Sequence, residues 1–335
     1  MRRGADIVAS TLAMPASATL RTRKATAMFI AEDQIRSLLS YEALIPAIRQ
    51  ALADFSAGRV DQPPRTILRA GNDDDRNDGW FAVMPVIHGD VMGVKAVTFF
   101  PGNSGLGLPT HMAVVELLSR STGQPLAIMD GRLITEMRTA AVSAVALDAL
   151  APAGVSSLGI LGAGVQARSH LKALRLVRPA LNDIRIWSRT RESADRLAAE
   201  TRAATGIAVR SAEIDDAASA QVVLTVTTSP EPVLCGRWLR PDALILAVGA
   251  VGATRRELDD EAVQTSWIVA ESRNASEREA GDIVLSGARV QCEIGEILAS
   301  PAAFSVPRGR RILFKSVGMA IEDLVAAHLV WQAMQ

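Results

Sequence analysis

Apolar positions change their period along this chain, and the change divides it in two. Leu44, Ile45, Ile48, Leu52 and Phe55 recur at helical spacing and predict an amphipathic helix that stops near Gly58. Pro46 is placed in its first turn, because a proline further in would cost a hydrogen bond. Strand character follows over Thr66–Arg69, Gly79–Val86, Val91–Phe99 and Met112–Ser119, broken by turn clusters at Gly71–Asp75 and Pro101–Gly105. Four such strands with short turns predict an antiparallel sheet. After about residue 130 the rhythm alternates. A small-residue helix over Thr139–Leu150 precedes a strand (Ser157–Leu161), a helix (Val165–Leu176), a second strand (Asp183–Trp187) and a helix over Ser193–Thr205. Apolar runs at Val222–Val226, Ala243–Val248 and Trp267–Ala270 read as further buried strands, and Arg311–Gln335 as a last helix that packs back on the first part. The expected fold class is α/β. A doubly wound parallel sheet occupies 131–310, beside an α+β domain built from 28–130 and 311–335.

Composition narrows the partners. Lys plus Arg equals Asp plus Glu at 36 each, so no bulk field recruits nucleic acid or an anionic membrane, and any anion site must be local. With no apolar run near the length of a membrane span, small molecules are the expected partners. Two cysteines, Cys235 and Cys292, supply neither a disulfide framework nor a four-ligand zinc site, and His88, His111, His170 and His328 lack metal-ligand spacing. No metal is expected, and a reducing cytoplasm is the natural compartment. Residues 1–27, rich in Ala, Ser, Thr and Arg, fit a disordered extension better than a transit peptide.

The sharpest chemistry lies at Gly162-Ala163-Gly164-Val165-Gln166-Ala167, between a strand and a helix. This is the setting of a Rossmann dinucleotide turn. Gly162 permits the bend, Gly164 admits a pyrophosphate to the backbone N–H groups, and Ala167 keeps the helix close to the sheet. An NAD-selective site usually carries an acid about 20 residues on, for the ribose 2′-hydroxyl. Here Ser188-Arg189-Thr190 ends the second strand, so nothing repels a 2′-phosphate and Arg189 can pair with it. NADPH is therefore expected, with NADH the weaker alternative; Arg189 stacking on the adenine is the other reading.

Taken together the motifs resemble the ornithine cyclodeaminase/mu-crystallin family, from Met28 to about Ala327. The resemblance rests on Gly93-Val94-Lys95, Leu108-Pro109-Thr110-His111, Thr122–Ala127 leading to Met129-Asp130-Gly131, Thr135–Ala141, the glycine turn, Arg256-Glu257-Leu258-Asp259 and Phe314-Lys315-Ser316-Val317-Gly318. It implies a homodimer paired through the first domain's sheets. It also implies that Arg65 grips a substrate carboxylate, a task suited to a planar guanidinium. Lys95 stands at the family's active-site lysine. Arg138 matches an arginine close to substrate and nicotinamide, Thr110, His111 and Ser316 match positions lining the nicotinamide half, and Thr227 is placed near the cofactor after the fourth strand. Plainer readings exist for three of these: Arg65 paired with Asp73–Asp75, Lys95 as a snorkelling edge-strand lysine, and His111 as structural. Arg69, Glu116 and Asp130 are read as structural charges. One departure is informative. Family cyclodeaminases carry an aspartate shortly after the Val-Gly of the fifth strand, and here Val251 stands in that place, unable to exchange a proton. The resemblance with this departure implies an NADPH-dependent reductase of a small cyclic 2-imino acid, Δ1-pyrroline-2-carboxylate or its six-membered homologue. The competing activities are alanine dehydrogenase, ornithine cyclodeaminase and a non-enzymatic NADPH- and ligand-binding role.

Overall fold

A computed structural model describes residues 28–71, 79–302, 304 and 306–335. The extension expected over 1–27 and the Asp73–Asp75 cluster lie outside the described residues.

The first half runs β1 (Met28–Ile30), α1 (Glu32–Leu38), α2 (Tyr41–Ser56), β2 (Thr66–Arg69), β3 (Trp80–His88), β4 (Val91–Phe99), β5 (His111–Ser119), β6 (Pro125–Asp130) and α3 (Gly131–Leu150). Its six strands pair in the order β1-β6-β5-β4-β3-β2. Neighbours from β2 to β6 are antiparallel as expected, but β1 joins β6 in parallel, so the sheet is mixed. β1 and β6 were too short to announce themselves by alternation. Ser40 accepts the Ala43 N–H and starts α2 at Tyr41. Pro46 is thus the sixth helical residue rather than a first-turn one, and offers no N–H to the Glu42 carbonyl. Asp130, read as a structural charge, caps α3 by accepting the Arg132 N–H at 2.8 Å. That cap starts the helix eight residues ahead of the small-residue run.

The second half runs β7 (Ser157–Leu161), α4 (Val165–Val177), β8 (Asp183–Trp187), α5 (Arg191–Thr205), β9 (Val209–Ser211), α6 (Ile214–Ala218), β10 (Val222–Thr225), β11 (Leu244–Ala247), α7 (Asp260–Gln264), β12 (Trp267–Ala270), α8 (Arg273–Glu279), α9 (Gly281–Ser286), β13 (Cys292–Glu293), α10 (Ile294–Ala299), β14 (Ile312–Lys315) and α11 (Ala320–Gln332). Eight strands, all parallel, lie in the order β13-β12-β14-β11-β10-β7-β8-β9. Strand order reverses between β7 and β10, and a doubly wound sheet binds its ligand in the crevice at such a reversal. The helix expected over Arg311–Gln335 begins only at Ala320. Ile312–Lys315 is a strand inserted between β11 and β12, where four apolar-flanked residues bury on both faces. A run that short carries no period by which to separate strand from helix.

Helices α3 and α11 cover one face of the mixed sheet, with α2 packed on both of them, over Ala82, Met84, Val86, Val97, Val115, Leu117 and Met129. The opposite face stays apolar and open. Leu68, Met112, Val114 and Phe29 are exposed there, with Phe81, Val83 and Ile128 beside them. No helix among the described residues is long and apolar enough to cross a membrane.

Candidate active site

The glycine turn closes β7 at the switch point. Gly162 has φ +120°, a conformation that side chains rarely adopt, and its N–H donates to the Trp187 carbonyl at 2.8 Å. Gly164 caps α4, and the space a side chain there would fill is open. Val165, Gln166 and Ala167 form the first helical turn, whose N–H groups have no intrahelical acceptors. Ala163 lends its carbonyl to Arg168 at 3.3 Å, and Ala167 is fully buried against the sheet. Open space facing a helix N-terminus fits a pyrophosphate. Beside it, after β8, Ser188 is half-buried while Arg189 and Thr190 are exposed, and no ion pair involves Arg189 among the described residues. Thr227 follows β10 across the switch point, and Ser316 is buried where β14 ends.

A second cluster gathers on the helix-covered face of the mixed sheet. Lys95 lies on β4, a strand flanked by β3 and β5, and is only 3% exposed, so it is neither an edge-strand nor a snorkelling residue. Its ammonium stands 2.6 Å from Asp323 of α11. Burial pushes Lys95 down to about 8; the Asp323 charge opposes that fall, while Arg138 and Arg65 add to it. Arg138, from α3, is also buried, with Glu322 at 2.5 Å and Asp323 at 3.2 Å. Glu322 is fully buried, and burial together with the nearby Glu271 pushes its carboxyl up to about 8 against the pull of Arg138.

Arg65 approaches from the loop before β2. It donates to the carbonyls of Val317 (3.0 Å) and Gly318 (2.5 Å) and pairs with Glu279 at 2.9 Å. The same two peptides donate their N–H groups to Glu271, at 3.0 and 2.8 Å. Gly318 has φ +78°, and a side chain there would sit 2.5 Å from the Arg138 guanidinium. The turn that leaves β14 therefore touches Arg65 with its carbonyls, Glu271 with its amides and Arg138 with its bare α-carbon. Three cations face four carboxyls around it. One oxygen each of Glu271 and Glu322 is buried without a hydrogen-bond partner among the described residues. A cavity of about 280 Å³ opens beside Arg65, Glu279 and Met319.

His111 begins β5 at the rim, against Phe99 (ring centroids 4.5 Å apart) and edge-on to Trp80. The residue is exposed at the rim, yet partial desolvation of the ring, with Lys95 and Arg138 nearby, pushes its imidazole down to about 4 and favours the neutral form. Thr110 precedes it, half-buried. The structure thus brings Arg65, Lys95 and Arg138 together, with His111 in range of the last two charges, and sets the glycine turn, Ser188–Thr190 and Thr227 along the crevice of the parallel sheet. Ser316 starts the segment that links the two. Sequence reasoning missed Glu271, Glu279, Glu322 and Asp323. Glu322 and Asp323 sit in a first helical turn, where acids are ordinary, so only the contacts reveal them. The four histidines and two cysteines form no metal cluster among the described residues.

A parallel-sheet crevice joined through one turn to a buried cation cluster is the arrangement of an oxidoreductase. Residues 25–335 match the model of the ornithine cyclodeaminase/mu-crystallin family, and the chain belongs to that family. It is 41% identical over 318 residues to the ketimine reductase mu-crystallin of Mus musculus, covering 93% of this chain and 98% of that protein. A Thermococcus litoralis Δ1-pyrroline-2-carboxylate reductase, solved with NADH and L-proline, superposes with a TM-score of 0.85 at 33% identity, covering 91% of this chain and 97% of that one. An archaeal alanine dehydrogenase dimer with bound NAD superposes with a TM-score of 0.86 at 27% identity, covering 92% and 95%.

Proposed function

We propose that this protein reduces a small cyclic 2-imino acid, Δ1-pyrroline-2-carboxylate and its six-membered homologue Δ1-piperideine-2-carboxylate, to L-proline and L-pipecolate, with NADPH preferred over NADH. The observation that carries the reading is the convergence of Arg65, Lys95 and Arg138 with the acids of α11 at the Gly318 turn. Near neutral pH Glu322 retains a proton, so the remaining charges balance, and the site suits a ligand bearing one carboxylate and one cationic nitrogen. Arg65 takes the carboxylate in exchange for part of its pairing with Glu279 and the Val317 and Gly318 carbonyls. Lys95, an ammonium below about pH 8, keeps the imine nitrogen protonated, which makes the neighbouring carbon electrophilic. Arg138 holds the substrate against the Gly318 turn, and neutral His111 with Thr110 closes the rim. The glycine turn, Thr227 and Ser316 would hold a nicotinamide dinucleotide, which when bound supplies the hydride.

Arg189 supports the NADPH preference. A charge-assisted hydrogen bond to a 2′-phosphate contributes roughly 1.5–3 kcal/mol, about a tenfold to hundredfold selectivity. The similarity to proteins solved with NADH and NAD bears on the nicotinamide and leaves this preference to Arg189. The open apolar face of the mixed sheet supports a homodimer with sheets paired across a two-fold axis, since a patch led by Leu68, Met112 and Val114 needs a cover. Val251 at the exit of β11 disfavours deamination, having no proton to exchange.

The deciding experiment follows NADPH absorbance with Δ1-pyrroline-2-carboxylate, Δ1-piperideine-2-carboxylate, and pyruvate with ammonia. Turnover on the cyclic imines above that on pyruvate is expected. Turnover on pyruvate and ammonia alone, or ammonia release from ornithine without net NADPH use, overturns the assignment.

A further inference from the structure

Glu257 belongs to the motif Arg256-Glu257-Leu258-Asp259, and Lys315 to Phe314-Lys315-Ser316-Val317-Gly318. Glu257 and Lys315 meet beneath the exits of β10 and β11, where Asp282 joins them. Glu257, Asp282 and Lys315 are each 0% exposed, which is rare for ionised side chains and is tolerated only where every polar atom is matched.

Here each carboxylate oxygen and the ammonium have partners, and most of the partners are backbone. One Glu257 oxygen accepts the Thr227 N–H at 2.6 Å; the other accepts the Gly249 N–H and the Thr225 hydroxyl, both at 2.8 Å. Lys315 donates to the Ala250 carbonyl at 2.9 Å and to Asp282 at 2.8 Å. The other Asp282 oxygen accepts the N–H groups of Glu257 and Leu258, at 2.8 and 3.0 Å. The carboxylate lies so close beneath Gly249 that a side chain there would come within 2.5 Å of it.

The backbone groups so held are not scattered. Thr227 is the exit of β10, and Gly249 and Ala250 are the exit of β11. These peptides border the switch-point crevice on the side away from the glycine turn, and Val251 follows directly. A dinucleotide laid across such a crevice has its pyrophosphate on the glycine turn and its adenosine beyond β8, leaving the nicotinamide for the β10 and β11 exits.

We propose that Glu257, Asp282 and Lys315 are positioning residues for the nicotinamide half of the cofactor: a buried ion cluster that fixes the peptides of Thr227, Gly249 and Ala250. No member touches the cofactor; the cluster sets where the two exits stand. The inference rests on the crevice binding a nicotinamide dinucleotide, and goes beyond it by separating the two halves of that site energetically.

The test uses Glu257→Gln. An amide of the same shape offers one acceptor oxygen where the carboxylate offered two, so either the Thr227 or the Gly249 N–H meets an NH2 group instead. Binding is measured by fluorescence titration with whichever of NADPH and NADH the wild type binds more tightly. The matching adenosine fragment, 2′,5′-ADP or 5′-ADP, is titrated alongside. At least a tenfold weakening of the dinucleotide is expected, about 1.4 kcal/mol, with the fragment's affinity unchanged within twofold. Equal weakening of both ligands would show a general structural role and overturn the proposal, as would no weakening of either. If Glu257→Gln does not fold, Thr225→Val removes one donor to the same carboxylate at constant shape, and the same split, smaller in size, is expected. Wild-type protein that binds neither dinucleotide refutes the cofactor reading before any variant is made, which keeps the two failures distinct.

Discussion

Asp323→Asn tests the chemistry of the cation cluster most directly. The substitution keeps shape and volume but removes the charge that stands 2.6 Å from Lys95. Lys95 owes its position near 8 to burial, which lowers it, opposed by Asp323. A hydrogen-bonded charge pair of this kind contributes roughly 1.5–3 kcal/mol, equivalent to about one to two pH units. Without it Lys95 falls to roughly 6–7 and becomes neutral; Arg138, 3.2 Å from the same carboxylate, keeps its hydrogen bond to Glu322, and the variant's melting temperature is compared with wild type before the rates are read. At pH 7.5 most wild-type molecules carry the ammonium and only about one variant molecule in ten does, on a 1.5-unit fall. The assay is kcat/KM for the cyclic imine against pH from 5.5 to 9.5. Wild-type activity is expected to decline through about pH 8, and the variant's alkaline limb to move about one to two units toward acid, with most activity recovered at pH 6. Lys95→Met should be nearly inactive at every pH. A folded Asp323→Asn whose alkaline limb has not moved would refute the reasoning, because the limb would then belong to another group.

Other perturbations follow from the same contacts. Arg189→Ala should reduce the preference for NADPH over NADH about tenfold to hundredfold while leaving NADH kinetics near wild type, as read by steady-state rates with each cofactor. Gly318→Ala introduces a side chain 2.5 Å from the Arg138 guanidinium at a φ of +78°; strain of this kind costs on the order of 1–3 kcal/mol, and a lower melting temperature together with a raised KM for the imino acid is expected. Glu322 has a folded pKa of about 8 against an ordinary value of 4.5, so the folded state holds the extra proton and stability declines as pH rises through that interval. Glu322→Gln stays neutral throughout, and its melting temperature relative to wild type should climb between pH 5 and 8.5; a constant difference would show that Glu322 does not titrate there. Val114→Asp places a charge on the open sheet face and is expected to yield monomers in light scattering.

Some of this was legible in the residues and some was not, for reasons of range. The glycine turn could be read because its three small residues and flanking elements are local. Lys95 could be placed on a strand by alternation, but whether that strand lay at an edge depends on β3 and β5, which pair through contacts the period does not encode. Ile312–Lys315 went to a helix because a four-residue buried strand has no recognisable period. Asp323 and Glu322 were invisible because first-turn acids are favourable on any helix, and what makes these two different is arginine and lysine more than 180 residues away. Glu257 and Lys315 carry no legible task in the sequence, since each acquires one only when β10, β11 and β14 lie side by side.

Helix α11 returns to the mixed sheet after an entire parallel sheet has been built between it and β6. The layer that covers the mixed sheet is therefore completed by chain that follows the parallel sheet. Until α11 docks, Lys95 and Arg138 lack the carboxyl groups of Asp323 and Glu322, and closing the apolar core over Arg138 would strand a bare charge. Severing the chain near Ser316 would release a sheet that cannot seal, exposing its apolar layer, instead of an independent domain with weakened catalysis.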